Sequence, residues 1–257
     1  MSSRTDLPAL PADHGWWGRP LAETRWQLEL ARLLVDPVLR GRGVARGDGR
    51  AVVLLPGFLA GDQTLLVLAA WLRRIGYSPS TCGFVVNVQC SDRAVERVER
   101  HVERVHRRHG RRVALIGHSR GGHYARALAS RRPDLVSHAV SMGAGLREML
   151  AISYPTEAAV AVARDLQRRT RGARSLRCLT EGCDCAFARD FAQQFPTDLV
   201  RLTSIYSKGD GVVRWQAALA SDADCVEVTG SHVGLIFNRK TYRAIAAALA
   251  APEPAAP

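Results

Sequence analysis

Short apolar runs that end at glycine or proline alternate along this chain with segments of helical periodicity. Ala51 to Leu55 stops at Pro56-Gly57, Arg112 to Gly117 runs into a glycine-bracketed turn, and Val136 to Met142 ends at Gly143-Ala144-Gly145. Leu199 to Tyr206 and Asp224 to Thr229 resume as strands, while Tyr77 to Val88 carries a weaker strand signal interrupted by Pro79 and Gly83. Such runs suit strands buried on both faces, the condition of a parallel sheet. Helical signal fills residues 64–75, 92–108, 121–132 and 240–250. In 92–108, Val95, Val98, Val102 and Val105 recur at spacings of three and four, and Glu96/Arg100 and Glu103/Arg107 are spaced as i,i+4 pairs on the polar side. The order predicts an α/β protein with a mostly parallel central sheet, right-handed crossovers and helices on both faces.

At 257 residues, one such domain with an insertion accounts for the length. Residues 1–50 form an arm whose segment 21–39 places Leu30, Leu33, Leu34 and Val38 near one face at helical spacing, which predicts a core-facing helix. The core then comprises 51–145 and 197–250. Residues 146–196 break the alternation with helical signal and no convincing strand, and are expected to form a mainly helical cap; the Ala/Pro tail 251–257 is expected to be disordered.

The net charge of +12 invites a polyanionic partner. Of the 36 basic residues only Lys208 and Lys240 are lysine, and alanine is abundant, a bias that codon composition alone can produce. The densest basic run, His106 to Arg112, falls between a helix and a strand, where a solvated loop accounts for it. Nucleic acid is therefore not the expected partner. No run approaches the apolar length of a membrane span, and the first ten residues lack the pattern of a secretion signal, so the expected location is the cytoplasm.

The chemistry converges on Gly117-His118-Ser119-Arg120-Gly121-Gly122, a turn from a predicted strand into a predicted helix. A nucleophile there sits in strained backbone geometry, and glycines are needed where neighbouring chain comes close. The helix N-terminus behind Ser119 aims amides at any developing oxyanion. A serine hydroxyl needs a base, and the base needs an acid to fix its tautomer. Asp210, in Ser207-Lys208-Gly209-Asp210-Gly211, and His232, in Gly230-Ser231-His232-Val233-Gly234, each lie one loop past a predicted strand, at the sheet edge that Ser119 occupies. Asp198 precedes its strand and Asp222 lies in the connection before the last one, so both fall at the wrong edge. His118 and His123 are too close to Ser119 to serve as its base. The loop Leu55-Pro56-Gly57-Phe58-Leu59 is expected to supply a second oxyanion donor, the Phe58 N–H, beside the Arg120 N–H.

Together LLPGFLAG, the GHSRGG turn, SKGD and GSHVG resemble the α/β-hydrolase superfamily, nearest to its bacterial esterase and lipase branch, over residues 51–249 without most of the cap. The resemblance implies a serine hydrolase that cleaves carboxylic esters or lipids through an acyl-enzyme on Ser119, with no cofactor. Two positions depart from the pattern. Pro56 replaces a frequent histidine, and Arg120 stands where a small, Met or Gln side chain often follows the nucleophile. Arg120 would either form a salt bridge behind the pocket or favour anionic substrates.

The six cysteines include Cys178, Cys183 and Cys185, whose spacing is not a common zinc pattern and has no histidine nearby, so no metal is expected. In an oxidising compartment Cys178 could pair with Cys183 or Cys185, and Cys82 with Cys90; reduced thiols are the expectation for a cytoplasmic protein. Three rivals stay open: acyl transfer by the same triad, a non-catalytic ligand-binding role, and peripheral membrane contact through Trp16, Trp17 and the first helix.

Overall fold

The computed structural model describes residues 7–10, 17–171 and 185–256. Six strands, β1 (Ala51–Leu55), β2 (Ser78–Thr81), β3 (Val113–His118), β4 (Val136–Met142), β5 (Arg201–Ser207) and β6 (Asp224–Val228), make one sheet. Its order is β2-β1-β3-β4-β5-β6, and every neighbouring pair is parallel. The helices described are α1 (Pro20–Glu23), α2 (Trp26–Val35), α3 (Leu66–Arg74), α4 (Ser91–His109), α5 (Arg120–Arg131), α6 (Tyr154–Arg171), α7 (Ala186–Ala192), α8 (Trp215–Ala218) and α9 (Arg239–Ala250).

Strand alternation divides the core into two layers. Ala51, Val53 and Leu55 of β1 face Val95 and Val98 of α4, Leu128 of α5 and Phe187 of α7. Val52 and Leu54 face the opposite layer, with Leu33 of α2, Trp71 and Leu72 of α3, and Tyr242 and Ile245 of α9. Burial of each such side chain contributes about 1.5–3 kcal/mol, so a one-residue slip of β1 would forfeit both layers at once. The chain leaves β1 toward β2 on one side and returns to β3 on the other. That reversal opens a crevice at the carboxyl ends of β1 and β3, where the turns after Leu55 and His118 lie.

Several expectations change. On α2 the buried positions are Glu29 and Leu33, whereas Leu34 is exposed, so the inward face is rotated and carries a carboxylate. Of the segment expected as a cap, α7 belongs to the core: Phe187 and Phe191, one helical turn apart, pack with Phe195 against α4 and α5. The basic run 106–109 ends α4 rather than forming a loop, and its cations suit the partial negative charge of a helix C-terminus. Glu103 turns from its i,i+4 spacing to Arg132 at 3.0 Å.

The tail, expected to be disordered, is docked through residue 254. Arg50 and Arg112, both buried at the amino ends of β1 and β3, need acceptors, and the tail supplies them. Glu253 lies 3.2 Å from the Arg50 Nε, and Pro254 O accepts from Arg112. Ala251 O accepts from His138 Nε2 at 3.1 Å, and Pro252 O from Arg201 at 2.8 Å. Among the described residues no helix is long and apolar enough to cross a membrane. Trp16, Cys178 and Cys183 lie outside the described residues; Cys82 and Cys90 are not joined by a disulfide.

Candidate active site

Ser119 sits between β3 and α5 with φ 52° and ψ −123°, a conformation that costs an L-residue on the order of 1–3 kcal/mol. Among the described residues only Leu59 shares a positive φ without being glycine, and it lies in the turn after β1, on the same crevice. Backbone strain is thus concentrated where β1 and β3 end. The turn is held by Ser119 N–H donating to Met142 O at 2.7 Å and Gly122 N–H donating to Ser119 O at 2.8 Å. Its glycines are required by contact. A Cβ on Gly117 would stand 2.1 Å from the Gly121 carbonyl, and one on Gly121 would stand 2.2 Å from Leu55 O.

His232 and Asp210 arrive on the loops after β6 and β5, and both are buried. His232 Nδ1 lies 2.7 Å from Asp210 Oδ2, while Asp210 Oδ1 accepts the N–H groups of Val212 and Val213 at 2.8 Å each. All of the carboxylate's orientation is thereby fixed. Burial disfavours the His232 imidazolium, but the Asp210 charge and hydrogen bond outweigh it, and Glu23 adds to them, so the pKa lies above the ordinary 6.5. With Nδ1–H donated to Asp210, Nε2 keeps its lone pair.

His118, one residue before Ser119, joins the two loops. Its Nε2 lies 2.9 Å from His232 O, and since a carbonyl can only accept, Nε2 carries the proton. Burial and the neighbouring His232 hold His118 down to about 3, so it stays neutral. The two rings lie 4.8 Å apart.

The turn after β1 is built around Asn87, which is fully buried. Its side chain donates to Pro56 O at 2.9 Å and accepts from Tyr124 at 3.0 Å, and its carbonyl accepts the Leu59 N–H at 3.2 Å. A Cβ on Gly57 would meet Ser119 Cβ at 3.2 Å, which places the turn directly against the serine. Among the described residues neither the Phe58 nor the Arg120 N–H donates to a protein acceptor. The Arg120 side chain follows neither expectation. Its guanidinium is buried and donates to Gln89 O at 2.7 Å and Ser91 Oγ at 3.0 Å, and among the described residues it forms no ion pair.

The rejected acids are placed as expected: Asp222 is engaged by both terminal nitrogens of Arg126, and Asp198 is exposed in the turn before β5. Two carboxylates that sequence reasoning overlooked hold the His232 loop. Glu29 accepts from Ser231 N–H and Oγ at 2.9 Å each, and Glu23 accepts from His232 N–H at 2.9 Å and Val233 N–H at 2.8 Å. Glu29 had a signal, since it interrupts the spacing of Trp26 and Leu33 on the inward face. Glu23 had none, being 209 positions from its partner.

The match to a family model described as alpha/beta hydrolase fold spans residues 51–177. This is an α/β-hydrolase-fold protein. No curated protein matches it by sequence. Among solved structures it is similar to the mature lipase BlEst2 of Bacillus licheniformis, at 14% identity and a TM-score of 0.55 over 81% of this chain and 96% of that one. It is also similar to a monoacylglycerol lipase of Paleococcus ferrophilus (17%, TM-score 0.53, 80% and 96%). A third is the lin2722 product of Listeria innocua (15%, TM-score 0.56, 80% and 96%). At these identities the likeness speaks for the fold.

Proposed function

We propose that this α/β hydrolase cleaves carboxylic esters through an acyl-enzyme on Ser119. The observation that carries the reading is the strained Ser119 turn, linked through His118 to the loop of a buried His232–Asp210 pair with a 2.7 Å hydrogen bond. In the proposed cycle His232 Nε2 takes the Ser119 Oγ proton as Oγ bonds the ester carbonyl carbon. The Phe58 and Arg120 N–H groups receive the oxyanion. The tetrahedral intermediate collapses, the C–O bond breaks, and His232 gives its proton to the leaving alkoxide. Water then attacks the acyl-serine by the same route, releasing the acid and restoring the hydroxyl.

An apolar acyl group is favoured by what borders the crevice. Leu59 after β1, Val85 and Val86 after β2, and Val233 beside His232 are all exposed at the carboxyl edge of the sheet. Two structural neighbours are lipases, which agrees with such substrates. A panel of p-nitrophenyl esters of increasing chain length tests the reading. Ser119→Ala should abolish both turnover and labelling by a fluorophosphonate, and survival of either would overturn the assignment.

A further inference from the structure

The arm before β1 contributes to the candidate site, although it lies outside the segment that matches the family model. Its α1 ends at Glu23, whose carboxylate meets two separate loops. Oε1 accepts the N–H of Gly211, next to Asp210, and the N–H of His232 itself, both at 2.9 Å, and Oε2 accepts the Val233 N–H at 2.8 Å. The contact is close. Arg19 N–H donates to Gly211 O at 3.2 Å, and a Cβ on Gly211 would stand 2.9 Å from Glu23 Oε1.

We propose that Glu23 is a positioning residue for the His232–Asp210 pair, its carboxylate bridging the backbone of the acid loop and the base loop so that they keep one mutual geometry. The proposal rests on the ester-hydrolase reading above. A carboxylate suits the task because its two oxygens accept several amides at once, and charge-assisted bonds to amides are short and directional. Asp210 and His232 are separated by α8, β6 and the segments that join them, so their 2.7 Å contact depends on how the acid loop and the base loop are set against each other.

The charge has a second consequence. The ionisable groups around His232 are Asp210 after β5, His118 at the end of β3, Glu23 on α1, and Glu29 on α2 through Ser231, with Arg25 beside Glu29. Asp210 and Glu23 favour the imidazolium, and neutral His118 adds no charge. Glu23 therefore supports the basicity of His232 while it holds the loop.

Two substitutions separate reach from charge. Glu23→Gln keeps the length but loses the charge and turns an amide toward one N–H; Glu23→Asp keeps the charge but falls short. Both should lower kcat roughly tenfold with KM changed less than about twofold, since a displaced base affects the chemical step. Only Glu23→Gln should move the acid limb of the kcat/KM profile, by roughly half a pH unit toward lower pH. Rates are referred to the concentration of sites titrated by a fluorophosphonate, so partial unfolding does not imitate the effect. If wild-type protein is neither labelled nor active on any ester, the underlying reading fails. If it is active and both variants keep its kcat and acid limb, the role of Glu23 is overturned alone.

Discussion

The Arg120 guanidinium lies 5.9 Å from the centre of the Phe58 ring, so the residue after the candidate nucleophile grips the turn that carries the other candidate amide donor. The same group lies 5.5 Å from the Tyr124 ring and donates to the carbonyl of Gln89 and the hydroxyl of Ser91. Arg120→Ala would remove the hydrogen bonds to Gln89 and Ser91, at a cost of about 1–3 kcal/mol read by urea unfolding. Release of the Phe58 turn should lower kcat/KM at least tenfold, on the order of a weakened oxyanion donor. Neutral and anionic esters should lose equally; a loss confined to anionic esters would show that the guanidinium reads substrate charge.

Asp210→Asn should separate fold from chemistry. Oδ1 of Asp210 is committed to the Val212 and Val213 amides, so an asparagine would keep its carbonyl there and turn its NH2 toward His232 Nδ1. The imidazole would then carry its proton on Nε2 and could not accept from Ser119. A fall in kcat of about 10⁴ with a nearly unchanged melting temperature is expected. A kcat within tenfold of wild type would assign the acid to another residue.

The sheet and the three candidate residues were legible because their signals are local. Unbroken apolar runs mark β1 and β3, and Ser119, Asp210 and His232 each lie just past the end of a strand. What supports them was not local. Asn87 stabilises the turn after β1 from a segment with no regular element, and Glu23 reaches His232 from the other end of the chain. The side-chain periodicity of α2 placed Leu33 inward but missed Glu29 and wrongly buried Leu34, because a buried Glu29 reads as solvent-facing until its partner Ser231 is known. The tail misled through composition, since Ala and Pro signal disorder while its docking uses main-chain carbonyls that no residue type advertises.

Buried neutral histidines predict acid lability. His118 and His123 are held down to about 3, first by burial and then by His232 and Arg120 respectively, and His138 to about 4 by burial and Arg50. An unfolded chain takes up these protons near pH 6.5, whereas the folded state refuses them until pH 3–4, so stability falls as pH drops through that interval. Each histidine contributes about 1.4 kcal/mol per pH unit. His232 acts oppositely, because its raised folded pKa adds stability that is complete below its unfolded value and lost as pH rises through the folded one. His101 is lowered by burial as well, so four histidines against one leave a net loss on acidification, measurable by urea unfolding at several pH values. His138→Gln, which can still accept from Arg50 and donate to Ala251 O, should flatten the slope; an unchanged slope would contradict the assignment.

Activity should respond to pH through His232, which accepts a proton only when neutral. Its pKa is raised above 6.5, since the Asp210 charge and hydrogen bond overcome burial. The acid limb of kcat/KM should therefore have its midpoint above 6.5, the reverse of the order expected if burial won. A limb centred well below that value would show that a different group serves as the base.

The glycines after Ser119 should differ in what they tolerate, because their neighbours differ in whether they can yield. A Cβ on Gly121 would stand 2.2 Å from Leu55 O and 2.9 Å from Pro56 O, main-chain atoms at the end of a strand bonded on both sides. A Cβ on Gly122 would stand 2.3 Å from Ser141 Oγ and 2.8 Å from Ala144 Cβ. The Ser141 hydroxyl can rotate, and among the described residues it has no hydrogen-bond partner to lose. Gly122→Ala should therefore cost about 1–3 kcal/mol, the usual range of overpacking, while Gly121→Ala should cost more and displace the turn after β1. Site titration with a fluorophosphonate should find Gly122→Ala still reactive and Gly121→Ala nearly silent. The reverse order would mean that β1 gives way more easily than the α5–β4 contact, and that the strain at Ser119 is held from the α5 side instead.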